Sequence, residues 1–229
     1  MNTFLVDLVP VMEQQTNPSL AKPMESYMRN QFSYLGIRSP AMAEIHRKFF
    51  ASHSLPAVNE LPEILKELWQ LPHREYQYFA VGLLRRMAEM LPGDFIEPIE
   101  NMIIQKSWWD TVDSIAGGTV GIHFRHHPHL AGSVLPIWRS SSNMWLRRTV
   151  LLHQLGYKKQ TNIQLLFAVI EENLGSKEFF INKAIGWSLR ELSKSDPTAV
   201  IEFVNSTPLN PLSKKEALKW LERKGQNDR

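Results

Sequence analysis

The sequence predicts an all-α chain built from stacked helical pairs. Three observations carry that reading. Helix-start signals recur along the chain, with prolines falling mostly between the helical stretches they delimit. Alternating apolar and polar runs joined by two-residue hairpin turns are missing. A short motif returns at a nearly fixed interval, which is how a repeat architecture shows itself in sequence.

The elements follow in chain order. Asn17-Pro18 reads as a cap followed by proline at the first helical position. Ser107-Trp-Trp-Asp110 and Ser213-Lys-Lys-Glu216 have the form of capping boxes, a hydroxyl with an acid three residues on. Ser142 or Asn143 is placed to cap the next helix, and Ser176 the one leading into Phe179. Gly117-Gly118, after a helix start and far from any strand signal, predicts a kink or a close helix contact.

The repeat is seen by aligning Glu75-Tyr-Gln-Tyr-Phe-Ala80-Val81, Trp109-Asp-Thr-Val-Asp-Ser114-Ile115, Met144-Trp-Leu-Arg-Arg-Thr149-Val150 and Phe179-Phe-Ile-Asn-Lys-Ala184-Ile185. A small residue precedes a β-branched one in each, at spacings of 34, 35 and 35. Two short helices per period of about 35 describe an α-solenoid superhelix of the HEAT-like or tetratricopeptide kind. The small residue lets a neighbouring helix approach, and the apolar residue beside it fills the layer between repeats. We expect one such repeat domain over residues 1–229. The residue before each small one, Phe79, Asp113, Arg148 and Lys183, then takes equivalent positions along one surface.

Composition sets limits on function. With 229 residues and no cysteine, disulfides, thiolate metal sites and thiol nucleophiles are excluded. A 43% hydrophobic and 21% charged chain reads as folded rather than disordered. The start meets Asp7 before any basic region, and no apolar run approaches the ~18 residues of a membrane span, so a cytoplasmic protein without membrane partners is expected. A net charge of +3 and a pI near 9.1 permit a polyanionic partner without demanding one.

The equivalent row carries the chemistry. Trp109 and Asp113 are one helical turn apart and share a face, as do Lys183 and Trp187. The surface therefore offers two indoles, a carboxylate, a guanidinium and an ammonium, with Tyr27 available from an earlier helix. Trp69, Trp108, Trp138, Trp145 and Trp220 are assigned to core or inter-repeat packing. His123, His126, His127 and His129 lie close in sequence, but Pro128 interrupts them and no acid falls within the run, so no metal is expected. Gly-rich phosphate loops, nucleophile elbows and His-Glu-x-x-His are absent, and no cofactor is expected.

Lys106-Ser-Trp-Trp-Asp-Thr-Val-Asp-Ser114, Trp145-Leu-Arg-Arg148 and Ser176-Lys-Glu-Phe-Phe-Ile-Asn-Lys-Ala-Ile-Gly-Trp187-Ser-Leu-Arg-Glu191 resemble the signatures of the AlkD family of DNA alkylation-repair glycosylases. The likeness runs from Tyr27-Met-Arg-Asn30 to Pro211-Leu-Ser-Lys-Lys-Glu216. It implies a HEAT-like superhelix that grips duplex DNA and excises cationic alkylated purines, N3-methyladenine and N7-methylguanine, in base excision repair. On that resemblance Asp113 is the catalytic carboxylate, Trp109 and Trp187 are aromatic walls, and Arg148 and Tyr27 bind DNA. Arg148, Lys183, Arg190, Lys106 and Lys177 would hold phosphates around the lesion, giving salt-sensitive binding. The expected partner is duplex DNA containing alkylated bases, bound by a monomer with no obligate protein partner. Arg147 and Gly117-Gly118 depart from the family pattern. The competing reading is a non-catalytic HEAT-like scaffold for branched or bulged DNA, or for protein.

Overall fold

A computed structural model describes residues 3–227. The described residues are helical throughout, apart from turns and one isolated bridge between Ser33 and His73. The chain divides into two compact units, Met1–Pro92 and Gly93–Arg229.

The first unit contains α1 (Thr3–Glu13), α2 (Pro18–Tyr27), α3 (Ser39–Ser52), α4 (Leu61–Gln70) and α5 (Arg74–Met87). In α4, Leu61, Ile64, Leu65, Leu68 and Trp69 are buried, the spacing of one helical stripe. Its packing on α5 and the edge-on aromatic contacts of Phe4, Phe49 and Phe79 form the core. Phe50 and His46 stack on Phe79, and burial lowers the His46 pKa to about 4, with Arg86 adding to the effect.

The 35–37 loop is tied down by one acid. The fully buried Glu75 carboxylate accepts the backbone N–H groups of Leu35, Gly36 and Ile37 at 2.9–3.0 Å. Gly36 has φ +90°, and a Cβ there would lie 2.1 Å from the Asn17 carbonyl oxygen. Only glycine fits that turn against the start of α2.

The second unit contains α6 (Ile96–Ile104), α7 (Trp109–Ser114), α8 (Gly121–His126), α9 (Pro128–Arg139), α10 (Met144–Leu152), α11 (Ile163–Glu172), α12 (Phe179–Leu192), α13 (Pro197–Ser206) and α14 (Pro211–Asn227). A π-helical stretch, Ile115–Val120, joins α7 to α8, so 109–126 is one helical run with a widened middle. α10 packs between α7 and α12, and α12 lies along α14.

The repeat is legible in this unit. α7, α10 and α12 begin at Trp109, Met144 and Phe179, 35 residues apart each time. Thr149 and Ala184 are buried, as is Ala80 in the first unit, and all four β-branched neighbours, Val81, Ile115, Val150 and Ile185, are buried. Ser114 departs from the pattern. It faces solvent and returns its hydroxyl to the Asp110 carbonyl at 3.0 Å, while Ile115 and Ala116, at the start of the π turn, take the buried places.

Asn17 and Pro18 begin α2 at the expected place, but the Asn17 side chain makes no cap bond and accepts the Ser19 hydroxyl at 2.6 Å instead. Asn143 rather than Ser142 caps α10, accepting from Trp145 N at 2.9 Å. Ser176 accepts the N–H of Glu178, the residue that itself flanks α12. The two capping boxes do not form. Ser107 bonds the Ile103 carbonyl, because the N-cap position belongs to Trp108. Ser213 lies inside α14 and donates to the Asn182 carbonyl at 2.8 Å. Three prolines, Pro10, Pro23 and Pro136, fall inside helices rather than between them. The Gly117-Gly118 pair, expected as a kink, sits in the π-helical stretch.

Candidate functional site

The site is built across three successive repeats of the second unit. Trp109 opens α7, and Asp113 follows one turn later on the same face. The chain reaches α7 through Lys106, held at φ +46°, and an extended Trp108, so α7 is aimed by a sharp local turn. Immediately after this helix the run widens into the π turn, a local geometry often found at functional sites. The widened stretch is pinned from the next repeat. Tyr157 donates its hydroxyl to the Gly121 carbonyl at 2.7 Å, and a Cβ at Gly121 would come within 2.3 Å of the His153 carbonyl oxygen.

Asp113 is met by Arg148 from α10. The guanidinium donates from Nε to Oδ1 at 2.7 Å and from Nη2 to Oδ2 at 2.8 Å, a bidentate fork. Nη1 donates to the carbonyl oxygen of Phe180 on α12, whose ring centroid lies 5.7 Å from Cζ. Both side chains are largely withdrawn from water, with 3% of Arg148 and 11% of Asp113 exposed. Burial pushes the Asp113 pKa up, Arg148 pulls against it by hydrogen bond and charge, and Asp110 adds a smaller upward push. The result is a carboxylate fixed in orientation by its partner, with burial outweighing Arg148 so that the net shift is upward.

An aromatic cluster lies alongside. Trp108, Trp145 and Phe180 are mutually in contact, with centroids 5.2–5.9 Å apart. Trp138 is fully buried and donates from Nε1 to Glu100 at 2.8 Å, and Trp69 is buried in the first unit. Trp145, Trp138 and Trp69 thus pack as expected. Trp220 is only half-buried, with Lys224 Nζ 5.4 Å from its ring. Trp109 and Trp187, the two indoles expected at the surface, are both half-buried.

The cations are arranged differently from the expectation. Arg148, read as a phosphate ligand, has its guanidinium nitrogens engaged by Asp113 and Phe180, because a buried charge needs such partners. Lys183 and Arg190 converge on Glu216 of α14 at 2.8 and 2.9 Å, and Lys219 joins them. Glu216 is almost buried. Burial acts to raise its pKa, but the bonds and charges of Lys183 and Lys219 prevail and lower it to about 2. The helices approach closely here, since a Cβ on Gly186 would fall 2.4 Å from Glu216 Cβ. Lys177 is exposed before α12, and Lys106 is half-buried before α7. Tyr27 ends α2 in the first unit with 73% of its surface exposed.

Sequence reasoning missed Phe180, Glu216 and Lys219. Phe180 stands 35 residues after Trp145 and was readable as the same apolar repeat position. Glu216 was hidden by its resemblance to a capping acid. Of the four histidines, His123 is buried, with Nε2 3.3 Å from the Gly93 carbonyl oxygen, and burial lowers its pKa. No three histidine or acid side chains converge as metal ligands among the described residues.

The model of the DNA alkylation repair enzyme family matches residues 9–221, a span that takes in the whole Asp113–Arg148 site. The chain belongs to that family. It is also similar to a solved structure described as a predicted DNA alkylation repair enzyme from Enterococcus faecalis. The two are 33% identical with a TM-score of 0.83, over 90% of this chain and 97% of that one. No curated protein matches the chain. The family is the one whose signature the Trp-Trp-Asp-x-Val-Asp stretch resembles. No helix among the described residues is long and apolar enough to cross a membrane.

Proposed function

We propose that this family member is a monofunctional DNA glycosylase that hydrolyses the N-glycosidic bond of cationic alkylated purines in duplex DNA. N3-methyladenine and N7-methylguanine are the substrates in view. The observation that carries the reading is the buried Asp113 carboxylate, fixed by the two-bond fork of Arg148.

The chemistry follows from the leaving group. Alkylation at N3 or N7 makes the purine cationic, so it departs without a strong general acid. The demand falls on the sugar, which becomes oxocarbenium-like as the bond breaks. An oriented carboxylate, in its ionised form, stabilises that charge and positions or deprotonates the attacking water. Arg148 acts as the positioning residue by fixing both carboxylate oxygens. Trp109, on the face of α7 that bears Asp113, and Trp187 on α12 supply indole surfaces to the cationic base. Each such cation–π contact is worth about 0.5–2 kcal/mol. Neutral lesions lack both the leaving-group advantage and this attraction, and are poor substrates on this reading.

Lys183, Arg190, Lys106 and Lys177 serve the phosphate backbone, as does Tyr27 from the first unit. Lys183 and Arg190 do so while tethered to Glu216, which presets their direction. The protein works as a monomer, a single repeat domain spanning both units, without metal or cofactor.

The test is release of free methylated bases from methylated duplex, followed by chromatography. Wild type is expected to release base. Asp113→Asn, nearly isosteric but uncharged, is expected to lose release by orders of magnitude while still binding duplex. Equal release by the two proteins, or none by wild type, would leave the scaffold reading in its place.

A further inference from the structure

The three helical runs that carry Asp113, Arg148 and Lys183 end together at a second cationic feature. Arg125 lies in the last turn of α8, Lys158 and Lys159 follow α10, and Lys194 follows α12. They surround an open cleft of about 680 Å³, which Gln160 and Ser195 also line. The acid on its wall is Glu191, which pairs with Lys194 at 2.5 Å. Four cations face one acid.

Positive side chains at helix C-termini are expected from the backbone dipole alone. Three observations go further. Lys158 is held in the left-handed region at φ +53°, an uncommon conformation for a side-chain-bearing residue. Its carbonyl accepts the hydroxyls of Thr161 at 2.8 Å and Ser195 at 3.4 Å, so the turn carrying two lysines is fastened to the end of α12. Arg125 is spread over the Tyr157 ring with Cζ 5.2 Å from its centroid, while the Tyr157 hydroxyl is occupied by Gly121. Arg125 is at the same time exposed and on the cleft wall. Finally, Lys159 and Lys194 are 35 residues apart, one repeat, so they repeat along the same direction as the Asp113–Arg148–Lys183 row.

We propose that this cleft is a phosphate-binding site, distinct from the Asp113 site, that takes the sugar–phosphate backbone of the same duplex. The proposal rests on the DNA-binding reading above. Arg125 lies twelve residues beyond Asp113 on one helical run, at most about 18 Å at the α-helical 1.5 Å per residue, since the π turn between them rises less. A duplex lying across these helices would meet one row near the lesion and the other on backbone away from it. Contacts at two places so separated fix the orientation of the duplex, which contact at one place cannot.

Two measurements test this on the intact protein. In the first, inorganic pyrophosphate is titrated into wild type and backbone amide resonances are followed. Shifts are expected to concentrate at residues 156–161 and 194–195; shifts elsewhere only, or none, would overturn the site. In the second, binding of an undamaged duplex is measured across a salt series for wild type and for Arg125→Gln/Lys159→Ala/Lys194→Ala. The log–log salt slope is expected to shrink by about 1 to 3, at roughly 0.9 for each phosphate no longer neutralised. An unchanged slope in a variant that melts like wild type would overturn the backbone as occupant while leaving the glycosylase reading untouched. Absence of duplex binding by wild type would instead sink the glycosylase reading, and the pyrophosphate titration would still decide the cleft.

Discussion

Replacing Arg148 with alanine separates two roles for this residue. The sequence places it among phosphate ligands, while the structure buries it against Asp113. Arg148→Ala removes two charge-assisted hydrogen bonds of 2.7 and 2.8 Å and leaves a mostly buried carboxylate unpaired. Breaking a buried pair from one side costs about 3–5 kcal/mol. With a urea m-value of about 1–3 kcal/mol/M, the midpoint should fall by roughly 1–5 M. The pH response has a defined sign. Burial already raises the Asp113 pKa, and Arg148 is what opposes it, so the variant pKa lies higher still. A reaction that needs the ionised carboxylate is lost as pH falls through the folded pKa. The acid limb of base release therefore moves to higher pH. Stability runs the other way. The folded state then holds the Asp113 proton more tightly than the unfolded chain, so the variant gains stability as pH drops from the raised value toward the unfolded pKa near 3.9.

Three readings decide the matter: urea unfolding at two pH values, the pH profile of single-turnover base release, and the salt slope of duplex binding. The positioning role predicts a lower midpoint, a displaced acid limb and a slope within a few tenths of wild type. A slope reduced by about 0.9 with the acid limb unmoved would refute the positioning role and return Arg148 to the phosphates. Arg148→Lys is the control for charge, since an ammonium keeps the charge but not the bidentate fork.

Other outcomes follow from the same packing. Gly186→Ala should destabilise the second unit by about 1–3 kcal/mol, because its Cβ would meet Glu216 Cβ at 2.4 Å and the Ser213 carbonyl oxygen at 2.8 Å; thermal unfolding reads this, and an unshifted midpoint would mean that α14 yields freely. Glu216, with its pKa lowered from 4.5 to about 2, contributes stability that is present above pH 4.5 and is lost as pH falls toward 2. Glu216→Gln should accordingly flatten the acid branch of the stability curve across that window, and a branch as steep as wild type would contradict the assignment. Glu75→Ala should loosen the 35–37 loop by removing the acceptor of three backbone N–H groups, seen as faster amide exchange at Leu35, Gly36 and Ile37; protection equal to wild type would show that the loop is held by other means.

The fold was largely legible because repeat packing writes itself into sequence at fixed intervals. The 35-residue spacing read from Ser114, Thr149 and Ala184 is the spacing of the helix starts at Trp109, Met144 and Phe179. The local errors share a cause. Ser107 and Ser213 have the spacing of capping boxes, but spacing does not state where a helix begins: Ser107 falls one residue before the N-cap and Ser213 inside α14, and each hydroxyl bonds another carbonyl instead. The π turn at Ile115–Val120 was visible only as two glycines, which say that the backbone is unusual without saying how.

The site shows the same division more sharply. Periodicity identifies which residues share a face, so Asp113, Arg148 and Lys183 could be placed in a row from sequence alone. It does not say which of them touch. Asp113 and Arg148 differ by 35 residues and so do Arg148 and Lys183, yet the first two are locked together while Lys183 turns to Glu216, a residue outside the repeat alignment. Depth in the packing decides this. Arg148 is buried and must neutralise its charge with the nearest acid, whereas Lys183 is about one-third exposed and can reach along its flexible stem to α14. A repeat thus fixes the order of charges along a surface, and burial then decides which of them pair within the row, as Arg148 does with Asp113, and which reach outside it, as Lys183 does to Glu216.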